Sequence, residues 1–156
     1  MAERTGGCLC GTVRFELKSE PFDCGWCHCR TCQLSSGAPA MAFASVKNGD
    51  WAASQGEDSI RTIRSSNFGR RAFCGKCGTP LFVRVDHQPQ TVDFSVVTLD
   101  DPDAVVPAFH IFWSSRVAWF EPGDDLPRHD RFRPGTPGLP GTEPPDDSSL
   151  TGGAPA

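Results

Sequence analysis

Alternation of apolar and polar positions is clearest near the start of the chain. In TVRFELK (12–18), Val13, Phe15 and Leu17 share one face, with Thr12, Arg14 and Glu16 opposite. That period of two is expected of a half-buried strand. TPLFVRVD (79–86) and TVDFSVVTL (91–99) are rich in β-branched and aromatic residues, and DHQPQ between them suits a hairpin loop. AMAFASV (40–46), SIRTIRS (59–65) and AFHIFWSS (108–115) predict three more strands, with VAWF (117–120) following as another. Helical patterns are sparse. DDPDAV (100–105) could make one turn capped by Asp100 or Asp101, and TCQLSSG (31–37) a short turn. The expected class is mainly β, in one domain spanning about 5–133.

The pattern stops at Pro134. The segment 134–156 is rich in Pro, Gly, Ser and Asp and nearly empty of large apolar residues. It cannot bury enough surface to offset the entropy of ordering, which predicts a disordered tail. No apolar run approaches the roughly 20 residues of a membrane span. The opening MAERTGGCLC lacks the basic patch and apolar stretch of a signal peptide. The expectation is a cytoplasmic protein without a membrane partner. A formal net charge of −4 argues against nucleic acid, which is bound through an excess of Lys and Arg. The basic cluster RSSNFGRR (64–71) reads as a solvated turn.

Eight cysteines change the picture. A reducing cytosol favours metal over disulfides for such a set. In FCGKCG, Cys74 and Cys77 have the C-x-x-C-G spacing of a zinc knuckle, which needs two more ligands. Cys8 and Cys10 of GGCLCG are the natural donors. A closed site of Cys8, Cys10, Cys74 and Cys77 would be structural and would staple the N-terminus to the central hairpin. CHCRTC supplies Cys27, Cys29 and Cys32, three corners of a tetrahedron with the fourth open to water or an incoming thiolate. Cys24 could close this second site. If 22–27 is extended, however, Cys24 and Cys27 point to opposite faces, and Cys24 then serves as a small buried hydrophobe. His28, between two ligands, is read as filling the loop and pointing away from the ion. His110 is either a core histidine bonded to a backbone carbonyl or a side chain reaching a pocket. His87 and His129 read as loop residues. A redox pair of Cys29 and Cys32 is a further alternative, but its usual βαβ context is absent.

G-x-C-x-C-G (Gly7–Gly11 holds its core), CHC-x-x-C with a following Ser-Gly (Cys27–Gly37), and FC-x-x-CG-x-x-L (Phe73–Phe82) together resemble the glutathione-dependent formaldehyde-activating enzyme family, which includes the centromere protein V type. HIFWSSRVAWFEPGDDLPRHD (110–130) is similar to that family's C-terminal pattern, with His110, Trp119, Asp125, Leu126 and Pro127 in order. The resemblance implies an Mss4-like, mainly β fold with zinc knuckles. It implies two Zn2+ per chain, a structural one at Cys8, Cys10, Cys74 and Cys77 and a second, reactive one at Cys27, Cys29 and Cys32. It also implies a carbon–sulfur lyase or synthase activity of the S-(hydroxymethyl)glutathione synthase kind, joining glutathione to formaldehyde. Arg30, Lys76, Arg70 and Arg71 could meet glutathione's carboxylates, or be ordinary surface charges. The competing readings are a non-catalytic zinc-stabilised binding module and a zinc–thiolate redox sensor.

Overall fold

The computed structural model describes residues 4–66 and 68–134. The expected tail, 134–156, lies outside the described residues except for Pro134. Ten strands and one helix run in the order β1 (Arg4–Gly7), β2 (Arg14–Leu17), β3 (Phe22–Cys27), α1 (Arg30–Ser36), β4 (Met41–Lys47), β5 (Trp51–Gln55), β6 (Ile60–Arg64), β7 (Gly69–Cys74), β8 (Pro80–Val85), β9 (Thr91–Ser95) and β10 (His110–Ile111). β1, β2 and β5 form a small antiparallel sheet. The other seven form a larger sheet in the order β10-β3-β4-β9-β8-β7-β6, antiparallel throughout except where β10 lies parallel to β3. The mainly β class follows directly. Among the described residues no helix is long and apolar enough to cross a membrane.

The two faces of the large sheet have different jobs. One carries Ala44, Val46, Leu81, Val92 and Phe94, all buried, against Val13, Phe15 and Leu17 of the small sheet. Phe15 and Trp51 stack at 4.9 Å between centroids inside this core. The same alternation that buries Val13, Phe15 and Leu17 leaves Thr12, Arg14 and Glu16 on the other side. On the opposite face of the large sheet, Arg71, Val83, Asp93 and Ser45 stand in one row, each paired in register with the next. Directly paired antiparallel residues project to the same side, so two strongly polar side chains share that face with apolar neighbours. A polar row in the middle of a large sheet marks a site rather than a core.

Several expected elements differ. Segment 91–99 is a strand only to Ser95, after which Val96–Thr98 is a 3-10 turn. Segment 108–115 contributes only His110 and Ile111, because Phe112 adopts φ 53°, ψ 39°, and turns the chain into a 3-10 turn at Trp113–Ser115. Segment 117–120 is not a strand. Its backbone makes a local turn, with the Phe120 amide donating to the Val117 carbonyl, so it has no ladder to join. A 3-10 turn does occur at Pro102–Ala104, but Asp101 makes no capping hydrogen bond and Asp100 is engaged by Thr5 and Arg14 instead. The turn after the cysteines is a two-turn helix, α1, whose N-cap is Cys29 and whose C-cap is Gly37 in the left-handed conformation (φ 69°). The basic stretch read as a solvated turn runs instead into β7 at Gly69, which places Arg71 on the inner face.

Candidate functional site

The first cysteine cluster lies where two tight turns meet. Cys8–Gly11 closes with the Gly11 amide donating to the Cys8 carbonyl at 3.0 Å, and Cys74–Gly78 with the Gly78 amide donating to the Cys74 carbonyl at 2.8 Å. Both glycines have positive φ, 75° and 79°, the backbone state that lets each turn fold its two sulfurs toward one point. The sulfurs of Cys8, Cys10, Cys74 and Cys77 all lie within 4.8 Å of one another, with Cys8 to Cys10 at 3.6 Å and Cys10 to Cys74 at 3.9 Å. The Val13 amide donates to Cys8 Sγ at 3.2 Å. Hydrogen bonds from Thr79 draw the Cys77 thiol down to about 5, and Thr12 lowers that of Cys10. Donors aimed at sulfur favour the thiolate form that a metal requires. The turn that carries Cys74 and Cys77 joins β7 to β8.

The second cluster sits on the other face of the large sheet. Cys27 ends β3, and Cys29 and Cys32 flank the start of α1, where the Cys32 amide donates to Cys29 Sγ at 3.3 Å. The three sulfurs lie within 4.8 Å of one another and all three residues are buried. Cys24 is turned away into the core between the sheets, and burial pushes its thiol up to about 11. A strand explains this: residues 24 and 27 are an odd number apart and face opposite sides. Cys32 is held well below an ordinary thiol, first by hydrogen bonds from Cys27 and Cys29 and then by the Arg71 guanidinium, whose Nη2 donates to Cys32 Sγ at 3.2 Å. The Cys27 thiol is pushed far up by the same contacts, led by that with Cys29. Arg71 is therefore the cation that faces the thiol cluster, through Cys32. Three soft donors around one point, with a single counter-charge, fit a soft divalent cation.

Arg71 is thus neither a surface charge nor free to meet a carboxylate. Arg30, Arg70 and Lys76 are exposed. Arg30 donates to Gln33 Oε1 of its own helix, at 3.3 Å.

The histidines hold the second cluster's backbone. His28 and His110 are both fully buried, with His28 Nε2 2.8 Å from His110 Nδ1. His110 Nε2 is 3.1 Å from both oxygens of Asp124. The carboxylate accepts from His110 Nε2–H, which leaves His110 Nδ1 to accept from His28 Nε2–H. His28 Nδ1 is then a bare acceptor, and no hydrogen-bond partner meets it. His28 does not merely fill a loop, and His110 bonds to side chains rather than to a backbone carbonyl. Gln33 adds a tie, its Nε2 donating to the carbonyls of His28 and Ser115 at 2.8 and 3.1 Å. His87 is a loop residue as expected, but buried against Phe68 and Phe132.

Cys27, Cys29 and Cys32 form part of the wall of a cavity of about 140 Å3 on the polar-row face. Phe22, Phe43, Phe68, Phe109, Phe112 and Phe132 all line it. Asp93 also lines it, accepting from Ser45 Oγ at 2.6 Å and, among the described residues, meeting no cation within salt-bridge distance. Loss of hydration between aromatic walls pushes its carboxyl up to about 6, against the pull of Ser45. Asp93 and its aromatic surroundings are the site residues that sequence reasoning missed. The only trace was an aspartate interrupting the apolar pattern of TVDFSVVTL.

Comparison with known proteins bears on the same residues. A family model described as glutathione-dependent formaldehyde-activating enzyme matches residues 3–115. A Halomonas elongata protein named "Putative glutathione-dependent formaldehyde-activating enzyme" is 24% identical over 127 residues, covering 74% of this chain and 78% of that one. The crystal structure of a Rhodobacter sphaeroides protein superposes with a TM-score of 0.53 at 24% identity, covering 66% of this chain and 91% of the other, a likeness of fold. The match of the family model over most of the chain, both cysteine clusters included, places this protein in the glutathione-dependent formaldehyde-activating enzyme family.

Proposed function

We propose that this chain is a zinc-dependent carbon–sulfur lyase or synthase that makes or breaks a thiol–aldehyde adduct, with glutathione as the thiol and formaldehyde as the simplest aldehyde. The observation that carries this reading is the position of the second cluster. Three thiols converge at the wall of a cavity while Cys24 faces elsewhere, so a zinc held by Cys27, Cys29 and Cys32 would lack a fourth protein thiolate and could take an incoming thiol. The family match and the relative's name supply the substrate pair.

In this reading Cys8, Cys10, Cys74 and Cys77 hold a structural zinc that pins the small sheet's leading loop to the β7–β8 turn. Cys27, Cys29 and Cys32 hold the second. A zinc ion there would supply Lewis acidity and keep an incoming thiol as the nucleophilic thiolate at neutral pH. Arg71 offsets the surplus negative charge of three thiolates on a divalent ion through its bond to Cys32. The aromatic walls exclude water from the adduct. In the same reading Asp93, which lines that cavity and accepts from Ser45 through Oδ1, would deliver the proton to the carbonyl oxygen.

The test is zinc content per chain with and without glutathione, followed by formaldehyde consumption. Wild type should hold two zincs, and Cys29→Ser one, with the fold kept and turnover lost. Two zincs inert to glutathione, with one also lost in Cys24→Ser, would mean a saturated site and a non-catalytic binding module.

A further inference from the structure

Formaldehyde has no substituent to bury, yet the cavity beside Cys27, Cys29 and Cys32 is walled by six phenylalanine rings. Its volume of about 140 Å3 is close to the roughly 150 Å3 of an engineered apolar cavity that takes up benzene. Glutathione does not account for these walls either. Its two carboxylates gain nothing from aromatic rings, its single ammonium could use the face of one ring but not six, and the nearby cations are already engaged. Arg71 donates to Cys32, and Arg133 pairs with Asp23 at 2.5 Å while covering the Phe109 ring at 4.7 Å. Asp93, without a cationic partner, repels a carboxylate. What fits is an uncharged ring carrying one polar group, with the ring among the phenylalanines and the polar group toward Asp93.

We infer that the carbonyl partner at this site is an aromatic aldehyde, its ring seated in the phenylalanine-walled cavity and its carbonyl carbon facing the thiol at the second cluster. The inference rests on the reading of that cluster as a thiol-binding site and adds the class of aldehyde. The step balances without an oxidant. The S–C bond forms as the C=O π bond breaks, the thiol's proton goes to solvent, and the carbonyl oxygen takes up one proton to give a neutral hemithioacetal. Run backward, the same site releases aldehyde and thiol.

Two stable thioethers, S-benzylglutathione and S-methylglutathione, stand in for adducts with and without a ring. Isothermal titration calorimetry on the zinc-loaded full chain compares them. Full burial of a phenyl group favours binding by about ten- to a hundredfold, so the benzyl conjugate should bind at least tenfold more tightly. Val83→Phe, which fills the cavity floor, should abolish that advantage and leave S-methylglutathione unaffected. Phe132→Ala serves the same comparison if the filled variant fails to fold, with an expected loss of about tenfold for the benzyl conjugate alone. Equal affinity of the two conjugates for wild type would overturn the aromatic assignment and leave the glutathione reading standing. Binding of neither conjugate would overturn this inference, and failure of glutathione itself to bind in the same titration would overturn the thiol-site reading.

Discussion

Replacing Asp93 with Asn should stabilise the protein at neutral pH and disable it at the same time. The folded state raises the Asp93 carboxyl from an ordinary 3.8 to about 6, chiefly because aromatic walls strip its hydration. The folded protein thus holds this proton more tightly than the unfolded chain. The associated stability is complete below pH 3.8 and is lost as pH rises through 6. At about 1.36 kcal/mol per pH unit, the ionised carboxylate costs up to about 3 kcal/mol at pH 7.5. Part of the side chain remains open to the cavity, and water there reduces the cost to roughly 1–3 kcal/mol. Asn keeps the acceptor for Ser45 Oγ and carries no charge. Near this chain length 1 kcal/mol moves Tm by roughly 4 °C, so Asp93→Asn should melt about 4–12 °C above wild type at pH 7.5. At pH 5 wild type has recovered about half of its loss, and the gap should narrow accordingly. Thermal melts at the two pH values, with zinc content checked at each, are the assay. A Tm gain independent of pH, or a lower Tm at pH 7.5, would refute the reasoning.

Other substitutions probe the rest of the frame. If the first cluster holds the proposed structural zinc, Cys74→Ser should lose it and leave the chain unfolded or strongly destabilised, as seen by loss of a cooperative melt. Gly6→Ala would place its Cβ 2.4 Å from the Thr98 carbonyl oxygen and 2.3 Å from the Phe15 ring, so it should cost about 3 kcal/mol or more in urea unfolding. His110→Ala leaves a hole and an unpaired His28 Nε2–H, for an expected loss of about 2–4 kcal/mol in the same assay. Arg71→Met should weaken zinc retention at the second cluster and spare the first, so that a chelator titration strips one zinc much earlier than in wild type.

The sequence made the sulfur clusters legible because ligand spacing is local: C-x-C, C-x-x-C and CHCRTC each fold into a turn regardless of what surrounds them. Strands with alternating patterns, such as Val13–Phe15–Leu17, were equally readable. β1, β5 and β7 were not. RTGG carries two glycines, WAASQ is short and alanine-rich, and GRRAFC begins with a glycine followed by two arginines. Each exists because a neighbour offers its edge, a tertiary effect that overrides propensity. β3 was read only conditionally, and it contains a register shift between Phe22 and Gly25, with Asp23 at φ 51°. The histidine pair joins positions 28 and 110, and the row Arg71–Val83–Asp93–Ser45 joins four strands. Such partnerships are fixed by topology and leave no periodic trace.

The parallel pairing of β10 with β3 has a consequence for biosynthesis. Every ligand of the first cluster, and both turns that shape it, lie within the first 80 residues. The second cluster has its three sulfurs early, but its enclosure depends on chain made much later: the His28 amide on the Ile111 carbonyl, Gln33 on Ser115, His28 on His110, and the rings of Phe109, Phe112 and Phe132. If the clusters bind zinc as proposed, the first could be loaded during vectorial synthesis while the ribosome is still adding the C-terminal part, whereas the second set of thiols waits uncovered. The interval between these events is when the nascent protein is most open to oxidation and to the wrong metal. The length of that interval is set by the speed of translation rather than by the affinity of either site.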